Sequence, residues 1–205
     1  MAADGALPFV AILRGVRPDE VLEHARAIAA AGFATIEVPA NSPQWARSVE
    51  ALARAFPDGP EIGAGTVLRL EDVDALAATG AKLMVTPNVD VAVVARAKAR
   101  GLRALMGVMT PTEALAAVAA GADALKIFPA SVVGPGYARI LKAVLPRELP
   151  LYAVGGVTPA NLATYAGGGW AGFGLGGELY RPGQSVADTE ARAAAFRRAW
   201  EALPT

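Results

Sequence analysis

The sequence predicts a single-domain (β/α)₈ TIM barrel occupying residues 1–205, and three observations carry the assignment. Eight short β-like runs recur along the chain, helical apolar patterns separate them, and glycines punctuate the returns from helix to strand. Strand starts lie roughly 20 to 28 residues apart. A leucine-rich solenoid has a similar period, but its Leu and Asn ladder is missing. The remaining rival is a doubly wound open sheet, and eight βα units in a row favour closure into a barrel over it.

In chain order, Phe9 to Leu13 is the first β-like run, followed by a helix with Val21, Leu22, Ala25 and Ile28 on one face. Gly32 stops that helix and Thr35 to Val38 forms the second strand; Ser42-Pro43 then reads as an N-cap with proline at the first helical position. The third strand is Glu61 to Ala64, and Glu71, Asp72 and Asp74 open the next helix as solvated first-turn charges complementing its dipole. After Gly80 comes the fourth strand, Lys82 to Thr86, with Asn88 a candidate cap; after Gly101 comes the fifth, Arg103 to Met106. Gly121 precedes the sixth strand, Ala124 to Phe128, and Tyr137, Ile140, Leu141 and Val144 mark the apolar face of the helix beyond it. Leu151 to Val154 is the seventh strand, with Thr158-Pro159 another capping signal. Gly169 leads into the eighth, Ala171 to Leu175, and Phe196, Ala199, Trp200 and Leu203 pattern the last helix.

Composition excludes several chemistries. Nineteen basic residues balance nineteen acidic ones, so no overall positive field holds a nucleic acid. With no Cys and a single His, the chain builds no thiolate or multi-histidine zinc site, no disulfide and no cysteine nucleophile. Ala supplies 47 residues of the apolar fraction, so the core is fine-grained. No stretch reaches the ~18 uninterrupted apolar residues of a membrane helix, and Met1 to Pro8 has no basic region of a secretory signal. A cytoplasmic location is expected.

In such barrels function gathers at the C-terminal ends of the strands. There the chain places Arg14-Gly15, Glu37, Gly65-Thr66, Thr86-Pro87-Asn88, Lys126, Val154-Gly155-Gly156 and Gly174 to Gly177. Strand alternation sets Glu37 with Thr35 and Pro39, opposite Ile36 and Val38, and sets Lys126 with Ala124 and Phe128, opposite Leu125 and Ile127. Both charges should therefore converge inside the barrel mouth. A structural ion pair is the bland alternative, but burying two charges costs several kcal/mol per ion and apolar residues would serve stability as well. Among Leu125, Ile127 and Phe128 the lysine pKa should be depressed, which supplies the neutral amine that attacks a carbonyl carbon.

The glycine turns after strands seven and eight, Gly155-Gly156 and Gly174 to Gly177, leave backbone N–H groups free for an oxyanion, a common phosphate position in barrels. His24 reads as a helix-surface residue, Trp45, Trp170 and Trp200 as packing, and Arg192, Arg197 and Arg198 as a solvated helix face.

Several segments together resemble one family. Ala11 to Gly15, Glu37-Val38-Pro39 with Asn41-Ser42-Pro43, Gly63 to Val67, Val85 to Asn88, Leu125 to Pro129, and Val154 to Val157 with Asn161 are similar to the class I 2-keto-3-deoxy-6-phospho-sugar-acid aldolases, and the likeness extends through Leu179-Tyr180-Arg181. Asn41 and Val154 stand where phosphogluconate-specific members usually carry Arg and Thr, which draws the chain toward the galactonate branch; a gluconate-specific or dual-specific enzyme is the alternative. A non-catalytic sugar-phosphate-binding barrel is a further one, against which both Glu37 and Lys126 stand.

The resemblance implies cleavage of 2-dehydro-3-deoxy-6-phospho-D-galactonate to pyruvate and D-glyceraldehyde 3-phosphate, without metal or cofactor, by a homotrimer. It implies that Lys126 forms the Schiff base and that Glu37 moves protons. It further implies that Arg14 and Thr66 hold the pyruvate end, that Pro87 and Phe128 wall the pocket, and that Val154 and Gly155 border it. Gly156, Gly176 and Gly177 would receive the phosphate. Many relatives have Ser at position 177, so one phosphate contact is expected to be missing.

Overall fold

Each β-like run becomes a strand, with ends that move by a few residues. The computed structural model describes residues 6–204; the first residues of the Met1 to Pro8 reading, and Thr205 at the domain boundary, lie outside the described residues. The strands are β1 (Leu7–Ile12), β2 (Phe33–Pro39), β3 (Glu61–Gly65), β4 (Leu83–Val85), β5 (Arg103–Val108), β6 (Ala124–Ile127), β7 (Leu151–Val154) and β8 (Gly172–Leu175). They pair in parallel, each with its successor, and β8 returns to β1 to close the barrel. The helices are α1 (Val21–Ala30), α2 (Trp45–Ala55), α3 (Leu70–Ala78), α4 (Val91–Ala99), α5 (Pro111–Ala119), α6 (Ala130–Val133), α7 (Tyr137–Leu141), α8 (Leu162–Ala166) and α9 (Val186–Glu201).

Alternation along the strands divides the core into two layers. Ile36, Val38, Leu125 and Ile127 join the large layer between strands and helices, whereas Leu83, Val85, Leu105 and Ala124 form a separate cluster inside the barrel, against Tyr152. Phe9, Phe33, Phe173, Phe196 and Trp200 knit the outer layer near the closure of the barrel, with Phe9 and Phe33 centroids 5.1 Å apart. At the N-terminal end an ion pair does plug the barrel: Arg103 Nε meets Glu61 Oε1 at 3.0 Å, both at the first residue of their strands.

The predicted helix stops are left-handed as expected, with φ between 72° and 93° at Gly32, Gly80, Gly101, Gly121 and Gly169. The predicted starts need correction. Ser42 does not cap α2, which begins after Gln44; its hydroxyl instead accepts the Gly15 N–H at 2.9 Å and ties the first two strand-end loops together. Asp90, rather than Asn88, caps α4, its Oδ1 accepting the Ala92 and Val93 N–H groups at 2.9 and 3.3 Å. Thr158 and Asn161 bond reciprocally, side chain to backbone, but the turn they close precedes α8 rather than starting it.

Two further expectations are overturned, and a third, the solvated first-turn acids, holds for Glu71 but only in part for its neighbours. Asp72 and Asp74 are not merely solvated: Asp72 pairs with Arg69 at 2.9 Å, and Asp74 joins Arg96 and Arg100, each at 2.7 Å, linking α3 to α4. His24 is buried on α1, with Nδ1 2.8 Å from Thr189 Oγ1 and its ring edge-on to Tyr180, because α9 and the loop before it cover that face. Ile140 and Val144 face solvent, at 69% and 56% exposure; α7 ends at Leu141 and buries only Ala138 and Leu141.

Candidate active site

The barrel mouth collects the two charges that alternation aims inward. Glu37 lies in register with Ile12 of β1 and Gly63 of β3; Lys126 lies in register with Gly107 of β5 and Tyr152 of β7. Exposure is 2% for Glu37 and 7% for Lys126. Neither side chain forms a hydrogen bond or an ion pair with another described residue, and Glu37 Oε2 is a buried oxygen without a partner among them. Burial pushes the Glu37 carboxyl up to about 7, against the opposing pull of Lys126 and then Arg14. Burial likewise lowers Lys126; Glu37 pulls it back up, and the Arg14 charge adds to the lowering. The pair thus sits where a proton is held weakly by the amine and readily exchanged by the acid, with the ammonium side of Lys126 5.8 Å from the Phe128 ring centroid.

Arg14 follows β1 and is held from two neighbouring strand ends. Its Nη1 donates to Asn41 Oδ1 at 2.7 Å, and its Nη2 reaches Thr66 Oγ1 at 3.5 Å. Thr66 has φ of 54°, a left-handed conformation that a β-branched residue rarely adopts and that costs on the order of 1 to 3 kcal/mol. This strained turn immediately after β3 carries the hydroxyl to the guanidinium.

On the opposite rim, Gly155 and Gly156 both have positive φ, at 90° and 85°. Bulk there is excluded as well, since a Cβ on Gly156 would fall 2.6 Å from the Ser131 Cβ. Asn161 Nδ2 donates to the Gly156 carbonyl at 2.8 Å, and Arg181 Nε donates to the Gly177 carbonyl at 2.8 Å. With those carbonyls engaged, the N–H groups of Gly156, Gly176 and Gly177 donate to no acceptor among the described residues. Such amides at a barrel mouth form a nest for an oxyanion.

One cavity of about 270 Å³ contains all the sequence-chosen positions: Arg14, Glu37, Thr66, Pro87, Lys126, Phe128, Val154, Gly155, Gly156, Gly176 and Gly177. Among the described residues no cluster of three or more His or acidic side chains is disposed to hold a metal ion.

A family model described as KDPG and KHG aldolase matches residues 5–184. The chain belongs to the KDPG and KHG aldolase family. A curated member, 2-dehydro-3-deoxy-6-phosphogalactonate aldolase of Escherichia coli (strain K12), is 54% identical over 95% of this chain and 95% of its own. A solved structure described as native KDPGal superposes with a TM-score of 0.94 at 52% identity, over 98% of both chains. A second, at TM-score 0.93 and 53% identity, covers 95% of this chain and 72% of a protein in a porous cage designed by fusing symmetric oligomeric domains.

In this KDPG and KHG aldolase family member the cavity also includes Gly174, which opens the glycine run noted in the sequence, and Ile12 and Glu178, which sequence reasoning did not select. Ile12 was readable as the inward residue in register with Glu37. Glu178 follows the glycine run, and nothing in the sequence distinguishes it from a solvated loop acid. Asn41 lies outside the cavity lining yet sets the Arg14 guanidinium, a pairing across two loops that requires the fold.

Proposed function

We propose that this chain cleaves 2-dehydro-3-deoxy-6-phospho-D-galactonate to pyruvate and D-glyceraldehyde 3-phosphate through a Schiff base on Lys126. The observation that carries the reading is the buried Lys126 amine, without a partner among the described residues and coupled to a buried carboxyl, in a cavity rimmed by glycine amides that donate to no described acceptor. The named activity of the E. coli relative supplies the substrate.

The amine of Lys126 attacks the C2 carbonyl carbon, and loss of water from the carbinolamine leaves a protonated imine. Glu37 accepts the C4 hydroxyl proton as the C3–C4 bond breaks; the bond's electron pair moves into the imine to give an enamine, and the aldehyde departs. Glu37 returns its proton to C3, and water then releases pyruvate and the free amine. Arg14 and Thr66 hold the pyruvate carboxylate, a task suited to a guanidinium. Pro87 and Phe128 wall the bound chain, Val154 and Gly155 border its aldehyde half, and Gly156, Gly176 and Gly177 take the phosphate.

The same reading makes residues 1–205 one barrel domain working as a cytoplasmic homotrimer. Exposed Leu68, Leu70, Val91, Leu115, Val132, Ile140 and Val144 all fall between β3 and β7, and one-sided apolar exposure suits self-association through that half. Among the described residues no helix is long and apolar enough to cross a membrane.

Borohydride reduction with pyruvate, followed by mass mapping, tests the chemistry. The expected result is an irreversible pyruvate-derived adduct on Lys126; aldol cleavage without such an adduct rejects the Schiff base.

A further inference from the structure

The inward face of β3 carries no side chain beside Glu37: Gly63 lies opposite it in register and Gly65 lies opposite Pro39. The two glycines answer to different neighbours. A Cβ on Gly63 would meet the Leu83 carbonyl oxygen at 2.3 Å, so that position is bare to let β4 approach. A Cβ on Gly65 would lie 1.7 Å from Glu37 Oε2, 2.4 Å from its Cδ and 2.5 Å from its Oε1. Those are its three nearest atoms, all from one carboxyl group. Gly65 is not among the residues of positive φ, so space rather than backbone conformation makes this position a glycine.

Glu37 stands opposite Gly63 but its carboxyl rests over Gly65, so the side chain leans along β3 toward the barrel mouth. No hydrogen bond from another described residue holds Oε2 there. We infer that Gly65 is a positioning residue for the reaction: its bare Cα is the seat that sets where the Glu37 carboxyl lies relative to Lys126. The inference rests on the proton-transfer role proposed for Glu37. Displacing a reacting group by about 1 Å costs on the order of 100-fold in rate, and a Cβ at 1.7 Å forces at least that movement.

The test uses the full chain with Gly65→Ala, Glu37→Ala and the double substitution. Gly65→Ala should lower kcat for aldol cleavage about 100-fold, and deuterium exchange into the pyruvate methyl group in parallel, while borohydride still traps pyruvate on Lys126. In the Glu37→Ala background the same substitution should cost no further activity, because the group it displaces is gone. Thermal midpoints follow the same logic: lowered by Gly65→Ala alone, unchanged by it once Glu37 is Ala. If Gly65→Ala does not fold by itself, the double variant still should, at the midpoint of Glu37→Ala. Unchanged kcat in the single variant, an equal loss in both backgrounds, or a double variant that also fails to fold overturns the inference. Failure of the Schiff-base reading shows separately, as absence of a pyruvate adduct in the unsubstituted protein.

Discussion

Lys126 and Glu37 share the buried floor of the barrel mouth without joining as an ion pair. The carboxyl sits at about 7 because burial outweighs the attraction of Lys126 and Arg14. In the proposed role of base for the C4 hydroxyl proton it must be ionised, so kcat/KM for cleavage should rise with pH and level off above about 7. Glu37→Gln should lower activity about 100-fold or more and abolish that limb of the profile. Stability moves in the opposite sense. A carboxyl raised from 4.5 to about 7 contributes most to stability below 4.5, and that contribution is lost as pH rises through about 7. A pH–rate profile flat from 5 to 8 would reject the assignment.

The second prediction separates stability from function. Lys126 is lowered by burial, so holding its proton in the folded state is unfavourable, and that burden eases only as pH rises toward the ordinary lysine value. Lys126→Met keeps the length of the chain and removes the cation. Cleavage should fall at least about 1,000-fold, while the thermal midpoint at pH 7 stays level or rises. A substantially lower midpoint would mean that Lys126 serves the fold, the structural ion-pair reading in another form.

The pattern of polar residues at strand ends was legible because a barrel strand has only two faces, and Glu37 and Lys126 break apolar runs on the inward one. What stayed hidden depends on pairs brought together across the chain. Ser42 looked like a cap and serves as a tie to Gly15; His24 looked solvated until α9 covered it. Ile140, within α7, and Val144, past its end, both keep helical spacing, so periodicity alone could not show that they face solvent. The inward glycines of β3 stood out only as members of a motif, since a residue chosen for its missing side chain shows its reason only once the neighbour is in place.

Arg14 is predicted to depend on Asn41. Their 2.7 Å hydrogen bond is the shorter of the two that orient the guanidinium, the other being 3.5 Å to Thr66. Asn41→Ala should raise KM for the sugar acid about tenfold and leave the Lys126 adduct intact at saturating pyruvate, as expected when one hydrogen bond to a charged group is lost. Steady-state kinetics over a range of pyruvate in the synthesis direction would reveal the same loss on the pyruvate side. An unchanged KM would assign Arg14 positioning to Thr66 alone.

Gly177 offers a gain rather than a loss. A Cβ there meets no described atom within 4 Å and its φ is not positive, so a side chain fits without strain. Gly177→Ser should add one hydroxyl contact to the phosphate, worth about 1 kcal/mol, and lower KM for the phosphorylated substrate roughly fivefold. Trapping of unphosphorylated pyruvate is the internal control and should not change. Equal effects on both ligands would place the phosphate elsewhere.

Val154 is where discrimination at C4 should reside. It ends β7, it is buried, and it is seated against Gly174, whose hypothetical Cβ would fall 2.7 Å from Val154 Cγ2. Because that seat admits a side chain of the same shape, Val154→Thr exchanges one methyl for a hydroxyl with little change in packing. The substrates compared are C4 epimers, so a hydroxyl added beside the aldehyde half bonds one epimer and not the other. It should raise turnover of the phosphogluconate epimer relative to the phosphogalactonate by about 2- to 10-fold, the worth of one neutral hydrogen bond. Gly174 should then limit how far the exchange can go, since a larger residue at 154 has nowhere to turn. Parallel kcat/KM measurements on both epimers decide the matter: a ratio that does not move removes Val154 from the specificity determinants and leaves the Asn41 side of the cavity to account for the choice.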